Sequence, residues 1–248
     1  MNTGAVSRTS AETEQEVQRA YYARTASRYD EMHVHEGGEH YFALGLLRIA
    51  ADMLNVQSVL DIGSGTGRAL LMLKKWRPEV RIVGIEPSAE LRTIGYQNGL
   101  SEEELVDGDA RALSYEDGSF DLVTEFGALH HIPGPGRAVA EMLRVARFGI
   151  FISDSNNFGQ GSRPVRLAKQ LLRSVGLWPA FDWLKTGGKG YTISEGDGLA
   201  YSYSVYSDWR QIRSACQSVH VLNTQDGGTN PYRSASHVAL LGLKDRRI

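Results

Sequence analysis

Three carboxylates and a histidine pair mark the places where this chain could do chemistry. Asp61 closes the apolar run SVLD and is followed by glycines at 63, 65 and 67. Glu86 follows IVGI, Asp109 lies in DGDA, and His130-His131 follow FDLVTEFGAL. Glycine allows positive φ and close approach of backbone to a ligand. A strand that runs into such a turn and then a helix therefore suits a nucleotide-like group. The dinucleotide fingerprint is G-x-G-x-x-G, but here position 68 is arginine. The charge of Asp61 would repel a pyrophosphate and would suit a ligand that carries positive charge. A neutral histidine beyond the carboxyl end of a strand can accept a proton from a hydroxyl, and His131 is the candidate.

Other clusters are weaker. HVHEGGEH (33–40) lacks the H-E-x-x-H spacing, because Glu39 stands where the second histidine belongs, and Gly37 and Gly38 disfavour a ligand-bearing helix. His33, His35 and His40 are expected as loop polar groups or acceptor contacts, and no metal is expected. Tyr201 and Tyr203 in YSYSVY alternate onto one side of an extended segment and could wall an acceptor pocket. Arg163, Arg166, Lys169 and Arg173 interleave with Leu167, Leu171, Leu172 and Val175. Such a basic amphipathic helix suits a solvated lid, or less readily an anionic membrane surface.

The elements that must position these residues alternate. After a tail to Arg8, Thr9-Ser10-Ala11-Glu12 has capping-box spacing and predicts a helix to about Ala26. Phe42, Leu46, Ile49, Ala50, Met53 and Leu54 predict a second helix with that stripe buried. Strands are expected at 58–62, 81–85, 104–106, 120–126 and 148–153, with helices between them, the last near 136–145. Near-continuous apolar strands separated by helices imply a parallel sheet covered on both faces. Residues 156–203 break the rhythm, with one basic helix at 164–175. A helix near 208–217 and two strands, 219–224 and 237–243, follow. The 12-residue link between these strands carries no helix, so they should pair antiparallel.

The 248 residues, 42% hydrophobic, suffice for one large core. A net charge of −2 lacks the footprint of a nucleic-acid binder. The lone Cys216 can form no internal disulfide. No signal-peptide pattern or 18-residue apolar run is present, so a cytoplasmic location is expected.

Together these motifs carry a resemblance. VLDIGSGTG (59–67) resembles motif I of the class I methyltransferases that use S-adenosylmethionine (SAM). IVGIEPS, DGDA and FDLVTEFGALHHI resemble the later motifs in order. YYARTASRYDEM is similar to the entry segment of the small-molecule branch, including the ubiquinone and menaquinone C-methyltransferases. The resemblance implies an α/β, doubly wound, mostly parallel Rossmann-like seven-stranded sheet with an antiparallel last strand. It implies one domain: an N-terminal helical lid (1–55), a core (57–155 and 204–248) and an inserted cap (156–203). Asp61 would hold the methionine end of SAM, Glu86 the ribose, and Asp109 with Ala110 the adenine. Tyr29, Gly63, Ser64, Gly65, Pro87, Glu125 and Phe126 would be further cofactor contacts. His131 would be the base, with His130, Tyr201 and Tyr203 around a small-molecule acceptor. Alternatives are a lipid acceptor at a membrane surface, or a SAM-binding module acting on protein or RNA. NPY (230–232) resembles the N-P-P-Y of amino methyltransferases but lies between the last two strands, where it reads as a turn.

Overall fold

A computed structural model of the chain describes residues 10–28, 38–225 and 230–245. The tail, Thr9, Tyr29, His33 and His35 fall outside these residues. Helix α1 spans Ser10–Thr25.

Seven strands form one sheet: β1 (Ser58–Ile62), β2 (Arg81–Ile85), β3 (Leu105–Val106), β4 (Phe120–Phe126), β5 (Ala146–Ser155), β8 (Ser218–Asn223) and β9 (His237–Leu243). Their order is β3-β2-β1-β4-β5-β9-β8. The first five run parallel, and β9 lies antiparallel between β5 and β8. The strand order reverses at β1/β4, where an open α/β sheet forms its ligand crevice. Asp61 sits there, paired in register with Gly84 on one side and Thr124 on the other.

The faces of the sheet are covered as the apolar strands require. On one side lie α2 (Glu39–Met53), α3 (Arg68–Trp76) and α4 (Ala89–Gln97), contributing Leu47, Leu70 and Leu73 against Leu122 and Phe151. On the other lie α5 (Pro135–Val145) and α8 (Trp209–Ala215), contributing Val139, Met142 and Ile212 against Val123 and Ile150. Each such fully buried aliphatic side chain contributes roughly 1.5–3 kcal/mol. The stripe expected on α2 is only partly the buried one: Ala50 is buried and Leu46 and Leu54 pack at the edge of the core. Ala43, Leu44, Leu47, Ala50 and Ala51 face the sheet, while Phe42, Ile49 and Met53 are more than half exposed. This helix is apolar on more than one side, and its alanines allow the closest approach to the strands.

The insertion holds more structure than its rhythm suggests. Besides α6 (Arg163–Ser174) it contains α7 (Trp178–Lys185) and a hairpin, β6 (Tyr191–Ser194) with β7 (Gly198–Tyr201). The basic face of α6 is only partly solvated: Arg163 is exposed, but Lys169 and Arg173 turn inward. Lys169 donates to Asn157, Arg173 lies 4.3 Å above the Phe158 ring, and Leu167 and Leu171 are 68% and 64% exposed. Asn230 Oδ1 accepts from the amides of Tyr232 and Arg233, so NPY forms a turn.

Candidate active site

The glycine turn takes its shape from three left-handed residues, Gly63 (φ 65°), Gly65 (φ 56°) and Gly67 (φ 76°). A Cβ on Gly63 would fall 2.2 Å from that of Ala128, so no larger residue fits. Glu86 locks this turn to the next strand. Its Oε2 accepts from the Gly65 amide at 3.0 Å and its Oε1 from the Ser88 amide at 2.8 Å. The Gly65 amide is thereby used inside the protein, and Gly65 shapes the turn rather than facing a ligand.

Two cavities open at this edge of the sheet. A cleft of about 310 Å³ is bordered by Gly63, Glu86, Pro87, Asp109, Ala110 and Ile132. A chamber of about 260 Å³ is bordered by His40, Arg68, His130, Asp154, Asp197 and Lys185, among other polar groups. Tyr22, Phe126, Gly127 and His131 border both. A narrow recess of about 20 Å³ beside Phe126 holds Asp61 and Ser64.

The acidic groups differ in state. Burial pushes Asp61 up to about 6, against the hydrogen bond it accepts from Thr124 Oγ1 at 2.7 Å. Burial likewise pushes Glu86 up to about 7. Neither makes an ion pair among the described residues. These are buried carboxyl groups with spare acceptor capacity beside a partly apolar cleft. That donor set fits a cationic nucleoside with a ribose diol and no phosphate. Asp109 borders the cleft, but Arg111 grips it with Nη2 at 2.7 Å and Nε at 3.0 Å, which holds its pKa below the usual range.

Glu125 requires correction as a cofactor contact. It is fully buried, borders neither cavity, and accepts from the amides of Ala128 and Leu129. It therefore caps the turn that carries the histidines. Burial, and then the Asp154 charge, raise its pKa well above the carboxylate range. Phe126, the next residue, alternates to the ligand side. Tyr203 is also corrected in part. Its ring is 4% exposed within the core cluster and its hydroxyl donates to Asp208 at 3.2 Å, so only its edge reaches the chamber. Tyr201 faces the chamber with its hydroxyl 2.5 Å from Glu14 of α1.

The histidines sit on the wall between the cavities. Asp154, at the carboxyl end of β5, holds His130 Nδ1 at 2.6 Å. Burial disfavours charge on His130, but the Asp154 and Asp197 carboxylates outweigh it and hold the pKa well above its ordinary value. The same contact holds Asp154 at about 2 despite its burial. His131 Nδ1 lies 2.6 Å from the Leu199 carbonyl of β7, and its ring meets Tyr22 edge-on at 6.3 Å. His40, expected as a loop group, is on α2 at the chamber, and burial lowers it to about 4.

Asp154, Asp197, Arg68 and Tyr22 were not singled out from the sequence. Asp154 ends an apolar run at the carboxyl edge of the sheet, a readable signal. Asp197 lies in the hairpin turn EGDG, which offers no such signal. Helix α1 places it: Gln18 accepts from the Leu199 amide at 2.6 Å and donates to the Asp197 carbonyl at 3.4 Å. A Cβ on Gly198 (φ 71°) would strike Gln18 at 2.4 Å.

Comparison with known proteins agrees with this geometry. Residues 60–152 match the model of a methyltransferase domain family. A demethylmenaquinone methyltransferase of Roseiflexus castenholzii is 33% identical over 131 residues, 52% of this chain and 55% of that protein. A phosphatidylethanolamine N-methyltransferase of Cereibacter sphaeroides is 34% identical over 130 residues, 46% of this chain and 57% of that one. The chain thus spans about half the length of the curated relatives it matches. A possible histamine N-methyltransferase of Thermotoga maritima shares the fold with TM-score 0.58 and 18% identity, covering 93% of this chain and 99% of that one. So does a magnesium protoporphyrin IX methyltransferase of Synechocystis with bound S-adenosylhomocysteine (SAH), at TM-score 0.58 and 16% identity, covering 94% and 100%.

Proposed function

From the match of residues 60–152 to a methyltransferase domain family, we propose that this chain is a class I SAM-dependent methyltransferase acting on a small polar acceptor held in the chamber. The observation that carries the reading is the wall shared by cleft and chamber. Phe126, Gly127, His131 and Tyr22 border both, so a group at the inner end of one meets a group at the inner end of the other.

In this reading the cleft takes the adenosine part of SAM. Glu86 accepts from the ribose hydroxyls with the lone pairs its two backbone partners leave. Ala110 and Ile132 supply the apolar wall for the adenine, with Asp109 and Pro87 at its rim. Asp61 and Ser64 face the methionine end, where the Asp61 charge offsets the ammonium. SAM, when bound, supplies a methyl group on a cationic sulfur. The chain's own part is alignment and exclusion of water. His131, on the common wall, is the group positioned to hold the acceptor's nucleophilic atom in line. The hairpin of the insertion and helix α1 close the chamber from outside.

The chamber argues for the acceptor class. Its lining of His130, Asp154, Asp197 and Lys185 is polar, and covering it with an apolar tail would strip these groups of water without returning hydrogen bonds. A small polar molecule answers them better than a prenylated quinone. Incubation of the purified chain with methyl-labelled SAM and extract fractions separated by polarity tests this. Label in small polar compounds is the expected result. Label confined to lipid, or to protein and RNA, would contradict it.

A second reading, a lipid acceptor at a membrane surface, is favoured by one feature. Helix α6 and its surroundings turn Leu167, Leu171, Leu177, Trp183 and Leu184 outward. Flotation with anionic vesicles, lost on Leu167→Ser with Leu171→Ser, would support it. No described helix is long and apolar enough to cross a membrane.

A further inference from the structure

His130, His131 and Asp197 each present one ligand atom, and those atoms lie within 4.8 Å of one another. His130 Nε2 is 3.5 Å from Asp197 Oδ2, and His131 Nε2 is 3.4 Å from Asp197 Oδ1. These separations are too long for charge-assisted hydrogen bonds, which close to about 2.7–2.9 Å. They match the spacing of two ligands on one ion: bonds of about 2.0–2.1 Å at a tetrahedral angle place the ligand atoms roughly 3.3 Å apart.

The other ring nitrogens supply the second argument. His131 Nδ1 lies 2.6 Å from the Leu199 carbonyl, an acceptor only, so it carries the proton there. That contact selects the tautomer in which Nε2, the atom facing Asp197, is the one open to an ion. His130 Nδ1 is held at 2.6 Å by Asp154, whose side chain is fully buried. A histidine whose far nitrogen is tied to a carboxylate or backbone carbonyl is the arrangement of a metal ligand, because that partner fixes tautomer and ring direction. Both histidines have it. Without an ion, a proton on His130 Nε2 answers the Asp197 charge; an ion that displaces it finds two imidazole nitrogens and a carboxylate converging on one position across about 3.4 Å.

We propose that His130, His131 and Asp197 form a binding site for one divalent first-row transition ion of the zinc class. The donor set is two imidazoles and one carboxylate, which suits zinc, iron, manganese or cobalt rather than calcium or magnesium. Three protein ligands leave further coordination positions, the pattern of a functional rather than a closed structural site. All three residues border the chamber, and His131 borders the cleft as well. The open positions therefore face the place where an acceptor enters. Resting on the methyl-transfer reading above, the site selects acceptors with an oxygen, nitrogen or sulfur donor able to ligate the ion. Asp197 comes from the hairpin and the histidines from the turn after β4, so the ion also ties the insertion to the core.

The test uses the untagged full chain, dialysed against chelator and titrated with cobalt(II) chloride alone and, by calorimetry, with zinc(II) chloride alone. One equivalent of each should bind, with cobalt showing the intense visible band of a four- or five-coordinate ion. Asp197→Ala, on a partly exposed turn, should weaken binding at least tenfold. Asp154→Asn should weaken it about 10–100-fold, the range for loss of a partner behind a ligating histidine. SAH affinity measured on the same samples shows that each variant is folded and separates this site from the function reading. Loss of SAH binding with metal retained would count against methyl transfer and leave the metal site standing. Absence of saturable metal binding, or equal binding in wild type and Asp197→Ala, would overturn the proposal.

Discussion

The edge of the sheet at residues 58–132 and the insertion at 156–203 border the same chamber but are built by different rules. At the sheet edge the polar groups that face a cavity are fixed by partners on the strands and turns themselves: Glu86 by the Gly65 and Ser88 amides, Asp61 by the Thr124 hydroxyl, and the amides of the histidine turn by Glu125. The apolar side chains of its strands β1 and β4 are buried almost throughout. In the insertion the relation is reversed. Lys169, Gln170 and Arg173 of α6 turn inward to carbonyls and a ring, while Leu167 and Leu171 turn out. The first region is specified by burial and stores its function in carboxylates that burial makes uncomfortable. The second is specified by a few long side-chain contacts and leaves its apolar surface free.

The largest expected difference is in stability. Leu70→Ala, at a fully buried site of α3, should cost about 2–5 kcal/mol by denaturant unfolding. Leu171→Ser on α6 should stay within about 0.5 kcal/mol of wild type. A comparable loss at both positions would mean that the insertion is part of the same packed core.

The pH dependence sharpens the contrast further. Asp61 and Glu86 are raised to about 6 and about 7 in the folded protein. Between roughly pH 4 and 7 the unfolded chain has shed these protons while the folded chain keeps them. The stabilisation is present below the unfolded values and is lost as pH rises through the folded ones. A shift of about two units for Asp61 is worth on the order of 3 kcal/mol. Asp61→Asn should therefore gain that much relative to wild type between pH 4 and 8, without ligand, while binding SAM less well. A pH-independent difference would show that Asp61 is not strained by burial.

Smaller effects concern ligands. Glu86→Ala should weaken SAH binding by roughly 1–3 kcal/mol, the range for hydrogen bonds to a charged group. Tyr201→Phe, which loses its bond to Glu14, should spare SAH affinity and raise the acceptor KM a few-fold. If Tyr201→Phe impaired SAH instead, the chamber and cleft assignments would need exchanging.

The same two rules decide what could be read in advance. Strands β1 to β5 and helix α5 follow from apolar runs and glycine turns. Glu86, Asp61 and the LHHI turn stand at strand ends where the sheet edge must lie. Helix α2 is legible as a helix, but Tyr41, Phe42, Leu46 and Ile49 make it apolar around most of its circumference, so period alone cannot choose its buried face. Glu125 was misassigned because one residue along a strand exchanges the cavity for the interior. Helix α7 and the hairpin lay in a Gly- and Tyr-rich stretch without periodicity, and Asp197 reaches the histidines only through contacts from α1, some 180 residues earlier in sequence. Long-range placement of this kind leaves no local mark.

The central claim is that the cleft takes SAM and the chamber beside it takes the acceptor. Calorimetric titration of the purified chain with SAH, and in parallel with NAD, tests it most directly. The account requires one SAH per chain at micromolar affinity, weakened in Glu86→Ala, and no binding of NAD. Binding of NAD without SAH, or SAH binding indifferent to Glu86, would contradict it.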